Sequence, residues 1–390
     1  MKKILLALAV TGAFVAPVAM ADTSNVTLYG AANVSYTHAT NGDNALSVNG
    51  TSTNQVTSEA SHIGLRGSED LGGGTSAIWQ VETLVNIDNS TAGGAGAGSL
   101  GTRNTFAGLK GGFGTLVLGK NDPTIKTAFM DMDMFADTVA DYRSILGHIG
   151  NYSFDNRIAN SATYASPDMS GFKVSVQVGA GAEGATGSLD KKGTITNLAA
   201  AYNAGPISAA IAWSEVKLGS SAVGGNIGAT DLSSFALNGG ALAADDKLSA
   251  WRLGGGYKMD QFAINAIYEH VKSDIASQAN GGDANRANTF YLAGKLNISA
   301  SDALKAAYTR RGNSGTGAAE IQNSGVKQFS LGYDHAMSKR TALYAVYTKV
   351  NNDAAAQMGL SDPDASSVAT NSNGAGADPS AFAIGMKHSF

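Results

Sequence analysis

The chain has 390 residues, with 49 glycines, six prolines, no cysteine, 43% hydrophobic and 15% charged residues, and a formal net charge of −4. By length it holds one large domain or two to three ordinary ones, and so much glycine with so little charge fits a large all-β protein better than a globular enzyme. The slight acidity argues against a nucleic-acid partner, and the missing cysteines exclude a fold held by disulfides.

The first segment, MKKILLALAVTGAFVAPVAMADTSN, carries Lys2 and Lys3, an apolar stretch from Ile4 to about Val18, and the small-x-small end Ala19-Met20-Ala21. It reads as a secretory signal peptide, residues 1–21, cut after Ala21. The apolar stretch is short for the ~20 residues of a bilayer-crossing helix. Removing it takes the net charge to −6. No later segment has the length and apolarity of a spanning helix, so membrane residence has to be by β-strands.

From Asn25 onward, segments of about ten residues alternate in character. In GFKVSVQVG, Phe172, Val174, Val176 and Val178 oppose Lys173, Ser175 and Gln177. PISAAIAWSE sets Ile207, Ala209, Ile211 and Trp213 on one face, and VKQFSLGYDH does the same with Phe329, Leu331 and Tyr333. Short turn-forming links such as EDLGGG, KGGFG, SPDMSG and NAGP alternate with long polar ones at 38–55, 88–102, 121–155, 217–247, 273–286, 312–326 and 351–378. Proline outside the signal occurs only at 123, 167, 206, 363 and 379, in links or at strand starts.

This gives about sixteen strands, with every short turn at one end and every long loop at the other. The expected fold is all-β: an up-and-down antiparallel transmembrane barrel, short turns periplasmic and long loops extracellular, over residues 22–390. A soluble sandwich would hide the apolar face, whereas a membrane barrel turns it outward. Strand length, aromatics near strand ends (Tyr36, Tyr164, Tyr202, Trp213, Tyr257) and inner faces too polar for a dry core all favour the barrel.

Apparent chemical motifs fail on inspection. GTLVLGKN nearly spells a phosphate-binding loop, but Asn121 stands where a hydroxyl should hold magnesium, and Leu116 and Leu118 continue a strand. In DMDMFADTVADY, Phe135, Ala136 and Tyr142 occupy the ligand, glycine and glutamate places of a calcium loop; a looser calcium ion there stays open. Histidines 38, 62, 148, 270, 335 and 388 lack zinc spacing and no G-x-S-x-G elbow occurs, so no cofactor, metal or catalytic residue is assigned.

The last segment, AFAIGMKHSF, puts Phe382, Ile384, Met386 and Phe390 on one parity, as a closing strand expected to pair with NVTLYGAANVSY. At this point the chain resembles Gram-negative general porins of the trimeric β-proteobacterial and neisserial type. The likeness rests on NVTLYG, SHIGLRGSEDLGGG from Ser61, AIWQVE from Ala77, RNTFAGLKGGFGTLVLGK from Arg103, NSATYASPDMSGF from Asn160, LGYDHAMSKRTALYAVY from Leu331 and the terminal GMKHSF, in that order.

The resemblance implies a sixteen-stranded homotrimer in the outer membrane whose third long loop, residues 121–155, folds into the lumen. Asp131, Asp133, Asp137 and Asp141 would then line one side of a constriction, with His62, Arg66, Arg103 and Arg157 on the opposing wall. His62 departs from the pattern, since relatives commonly carry arginine there, and a neutral histidine weakens any inferred anion preference. Phe390 would be read by the outer-membrane assembly machinery, and the outer surface would meet membrane lipid and lipopolysaccharide. The function expected is a passive water-filled channel for ions and small hydrophilic solutes, not an enzyme; the rivals are a channel preferring small organic anions and a non-conducting surface adhesin.

Overall fold

The computed structural model describes residues 25–43, 50–88, 100–149, 152–180, 193–217, 247–274, 286–315, 320–360 and 374–390. The expected signal peptide therefore lies outside the described residues, as do parts of the long loops, including 218–246 and 361–373.

Alternation becomes strands where it was expected. In chain order these are β1 (Asn25–Thr40), β2 (Ser52–Ser58), β3 (His62–Asp70), β4 (Ser76–Leu84), β5 (Thr105–Gly111), β6 (Gly114–Asn121), β7 (His148–Ile149), β8 (Tyr152–Ser153), β9 (Ile158–Ala165), β10 (Phe172–Ala180), β11 (Thr194–Ala204), β12 (Ile207–Lys217), β13 (Lys247–Lys258), β14 (Phe262–Ser273), β15 (Arg286–Asn297), β16 (Asp302–Arg311), β17 (Val326–Ala336), β18 (Thr341–Asn352) and β19 (Ser380–Ser389). The one α-helical turn among the described residues is α1 (Thr124–Thr127).

β7 and β8 pair only with each other, and β2 and β3 lie end to end along β1, so the nineteen strands make sixteen staves. The break between β2 and β3 falls at Glu59-Ala60-Ser61, where Ala60 takes φ 55°. The ladder is patched there by Glu59 N–H donating to the Asn33 carbonyl at 2.9 Å and by Asn33 N–H donating to Ser61 Oγ at 2.9 Å. Every neighbouring pair is antiparallel, and β1 joins β19 to close the barrel.

Closure differs from expectation in register. β19 pairs with residues 31–40 of β1 rather than with its start, on the edge opposite the one that β2 and β3 occupy, the stagger that tilted strands need to close a barrel. The seam ends where Gly30 and Phe390 exchange both backbone hydrogen bonds at 3.1 Å. A side chain at Gly30 would meet the Phe390 ring at 2.7 Å, so glycine is what lets the last residue close down on β1.

The barrel is apolar outside. Along β19, Ile384 is 56% exposed while its neighbour Ala383 is 0% exposed, and the same parity holds for Ile211, Leu253, Leu304 and Leu331 on other strands. Contiguous exposed leucine, isoleucine and aromatic rows around a closed sheet are stable only against hydrocarbon. Inward positions carry Asn33, Ser35, Thr37, Gln177, Asn197, Ser214, Gln328 and Ser330, all buried; Ser35 bonds Thr37, Gln177 bonds Asn197, and Gln328 and Ser330 both bond Thr348.

The link from β6 to β9 does not leave the barrel rim. Its apolar side chains Ile125, Phe129, Met132, Phe135, Tyr142 and Leu146 pack on inward-facing small residues such as Ala199, Ala210, Ala212, Ala250, Ala293 and Ala307. Gly254 and Gly332 complete the seat: a Cβ at the first would stand 2.8 Å from the Phe129 ring, and at the second 2.7 Å from the Phe135 ring. Each such large side chain removed from water contributes about 1.5–3 kcal/mol, so the seat outweighs the cost of ordering the loop only because several bury together.

Candidate functional site

The seated loop divides the lumen, and its polar bonds define where it lies. Asn33 Nδ2 donates to the Asp137 carbonyl at 2.8 Å and Lys387 Nζ bonds Asp137 Oδ2 at 3.0 Å, tying the loop to β1 and β19. Asn265 Nδ2 donates to the Met132 carbonyl at 3.0 Å, from β14. Tyr291 Oη receives the Met134 N–H at 3.2 Å, from β15, and Arg311 Nη1 donates to the His148 carbonyl at 2.6 Å, from β16.

The deepest anchor is Arg252 on β13, whose side chain is 0% exposed. Its guanidinium lies 3.1 Å from Asp155 of the loop and 2.6 Å from Glu269 on β14, and it sits over the rings of Phe129 and Tyr142 at 5.5 and 5.9 Å. Glu269 also receives the Gly147 N–H at 2.6 Å. Arg252 and Glu269 are direct cross-strand partners at inward parity. The signal was present in the sequence as two opposite charges at inward parity in the middle of neighbouring strands.

The four acidic loop residues part company. Asp131 is exposed and Asp137 half-buried. Asp141 is 0% exposed, where Arg143 donates to both its oxygens at 2.9 and 2.7 Å. Asp133 is half-buried and accepts hydrogen bonds from Phe135 N–H at 2.8 Å and Tyr291 Oη–H at 3.3 Å. Burial first, and then the neighbouring Asp141 carboxylate, raise the Asp133 pKa well above its ordinary 3.8.

A raised carboxyl stabilises the fold while protonated, below its unfolded pKa, and loses that contribution as pH climbs through the folded value. Asp133→Asn, which fixes the neutral state, is therefore expected to remove one component of decline, so that its thermal midpoint falls less than that of the unaltered protein as pH rises from about 4. Parallel midpoint curves in detergent would show that Asp133 is ionised in the folded loop.

The four basic candidates lie on two walls. Arg66 on β3 is exposed at inward parity with its guanidinium 5.0 Å above the Tyr29 ring. Arg103 is nearly covered: its Nε lies 2.5 Å from Glu82 of β4, which also accepts the Tyr29 hydroxyl at 2.9 Å. Arg157 is likewise covered, 3.3 Å from Asp122 and 3.2 Å from Asn104 Oδ1. His62 is half-buried, its Nδ1 2.9 Å from the Ala60 carbonyl, which holds the proton on that nitrogen. Arg66, Arg103 and His62 are thus gathered around Tyr29 and Glu82, whereas Arg157 belongs to a separate cluster with Asp122 and Lys126, the last two 2.7 Å apart.

Several lumen charges were not singled out from sequence. Lys295 on β15 stands opposite Lys305 on β16. Lys305 Nζ lies 2.9 Å from Asp334 and 5.0 Å from the Phe135 ring centre. With Lys387 these line a recess of about 520 Å³ bounded by Asn33, Thr138 and Tyr344. Inward parity alone identifies all three lysines, since each follows or precedes an outward apolar residue. Among the described residues no group of His, Cys, Asp or Glu is arranged to hold a metal ion.

Comparison with known proteins agrees with this architecture. The family model for Gram-negative porins matches residues 6–355. Outer membrane porin protein 32 of Delftia acidovorans is 29% identical over 402 residues, covering 100% of both chains. Major outer membrane protein P.IB of Neisseria meningitidis serogroup B is 38% identical over 187 residues, 45% of this chain and 49% of that one. Among solved structures, an anion-selective porin from Comamonas acidovorans superposes with a TM-score of 0.70 at 23% identity, covering 94% of this chain and 100% of the other. A closed sixteen-stave barrel, apolar outside and polar within, with a family model spanning most of its length, places the chain among the Gram-negative porins, the water-filled diffusion channels of the outer membrane.

Proposed function

We propose that the passage is narrowest between the 121–155 loop and the wall of β3–β5, and that its fixed charge favours anions over cations. The observation that supports this is the set of cations at inward parity. Arg66, Lys110 and Lys173 are exposed and Lys295 and Lys305 are half-buried; Lys173 and Lys305 pair with Asp168 and Asp334, which leaves Arg66, Lys110 and Lys295, while the acidic groups Glu82 and Asp141 are covered by Arg103 and Arg143. Charges lining a narrow aqueous channel set which ions enter. On the loop side Asp131 and Asp137 keep a transverse field, which orients polar solutes and makes apolar ones shed ordered water. His62 adds nothing to this field while neutral.

A channel that prefers small organic anions is the second reading, favoured by Lys295, which is half-buried in a recess shared with Lys305, Lys387, Asp260, Asp302 and Asp334 and is ion-paired with no acid among the described residues. The working unit is taken as a homotrimer, by likeness to the family. Phe390 is 46% exposed at the seam, where both its backbone groups bond Gly30, a position that suits a terminal residue read during assembly.

Planar-bilayer recording of the purified protein tests this. Stepwise conductance with a reversal potential on the anion side of zero in a salt gradient is expected. A cation-side potential would refute the charge preference, and no conductance at all would leave the adhesin reading. Block of the ion current by a small dicarboxylate at low concentration would favour the selective channel.

A further inference from the structure

The charges around the 520 Å³ recess between the loop and β15–β19 pair off unevenly. Lys295 on β15 and Lys305 on β16 are direct cross-strand partners at inward parity. Like charges so placed repel across Cβ atoms ~4.5–5.5 Å apart, so each ammonium calls for an anion of its own. Lys305 has Asp334 at 2.9 Å, and Lys387 has Asp137 at 3.0 Å. Lys295 is half-buried, and its ammonium has neither an ion pair nor a hydrogen bond among the described residues.

The acids bordering the recess show the same asymmetry. Asp334 is held by Lys305, and Asp302 is taken up by Ser299, by the Tyr333 hydroxyl at 2.6 Å and by His335 Nδ1 at 2.7 Å. Asp260 remains, exposed in the short turn between β13 and β14. Its backbone carbonyl accepts a hydrogen bond from Asn297 Nδ2 at 2.7 Å, which fastens that turn to β15. Its carboxylate has no ion pair or hydrogen bond among the described residues. Asn297 follows Lys295 on the same face of β15, about 6.6 Å along the strand at ~3.3 Å per residue. One unpaired ammonium and one unpaired carboxylate therefore border one cavity, close together, at the short-turn end of the lumen.

A wall with one free charge of each sign is complementary to a solute that carries one of each. A plain carboxylate would satisfy Lys295 but bring its own charge up to Asp260, and a plain amine would do the converse. The cavity falls within the ~300–1,000 Å³ of small-molecule sites. We propose that this recess binds small zwitterions of the amino-acid class, with the solute carboxylate on Lys295 and its ammonium on Asp260. The proposal rests on the lumen being an aqueous passage, and it departs from the organic-anion reading in that a carboxylate alone does not suffice.

The test is saturation-transfer NMR on the detergent-purified full chain with three probes of one carbon skeleton: alanine, propionate, which lacks the ammonium, and ethylamine, which lacks the carboxylate. Alanine is expected to bind saturably and roughly tenfold more tightly than either, the gain of one further charged contact. Lys295→Met should lower alanine to the level of ethylamine, and Asp260→Asn should lower it to the level of propionate.

Propionate binding the unaltered protein as tightly as alanine would overturn the proposal in favour of a bare anion site, and this comparison needs no variant to fold. Ethylamine binding as tightly as alanine, or alanine giving no saturable signal, would overturn it too. So would an Asp260→Asn protein that keeps the full preference for alanine. Bilayer recording of the same preparation separates the two levels: conductance steps without alanine binding would remove this site and leave the pore, whereas absence of steps would strike the pore reading and the proposal with it.

Discussion

Replacing Arg252 with methionine is expected to turn a quiet channel into a flickering one. The guanidinium is wholly buried between Asp155 and Glu269, so its removal leaves two carboxylates in a closed space with no cation. Breaking a buried ion pair from one side costs about 3–5 kcal/mol. That cost falls on the loop, because the staves on either side keep their backbone ladders. The loop should therefore leave its seat part of the time. Single-channel traces would show added open levels, and a protease would cut within 121–155 in protein that still migrates as a folded barrel. Arg252→Met combined with Asp155→Asn and Glu269→Gln removes the stranded charges and should restore much of the quiet. A steady current from the single variant would mean that the apolar seat alone holds the loop.

The second large effect concerns Arg103. Losing an exposed lumen cation such as Arg66 removes one unit of positive potential, but losing Arg103 also uncovers Glu82, held 2.5 Å from its Nε. A unit charge ~5 Å from a passing ion in water is worth about 0.8 kcal/mol, or roughly fourfold in relative permeability. Arg103→Ala should accordingly shift the reversal potential toward cations by more than Arg66→Ala does. Adding Glu82→Gln to Arg103→Ala should return most of that shift. If the double variant stays as far displaced as Arg103→Ala alone, the Arg103–Glu82 pair is not what sets the local charge. Tyr29, which donates to Glu82, remains in both variants and keeps the geometry comparable.

What could be read without coordinates follows from periodicity. The Phe172 to Val178 alternation, the short turns and the outward rows depend on a period of two that each stave carries by itself. The register of closure was not legible in the same way. Whether Ala31 or Asn25 meets the end of β19 is decided by the stagger accumulated around the whole closed barrel, a fact of all the staves rather than one.

The loop's charges show the same limit. Asp131, Asp133, Asp137 and Asp141 look alike in sequence, yet short 3₁₀ turns at Met130–Met132 and Tyr142–Ser144 rotate them to different fates. One is exposed, one bonds Lys387, and two turn inward to form a carboxyl pair. The basic wall was legible as residue type and parity, but not its neutralisation. Glu82 and Asp122, the partners of Arg103 and Arg157, lie 21 and 35 positions away in sequence and meet them only when the sheet curls.

The loop's seat has a consequence for biogenesis. Its bonding partners come from β1, β13, β14, β15, β16 and β19, so the surface that receives the loop is not complete until the last stave has met the first. The full set of loop bonds therefore exists only in the closed barrel, and the loop is expected to take its final seat after the seam between β1 and β19 has shut.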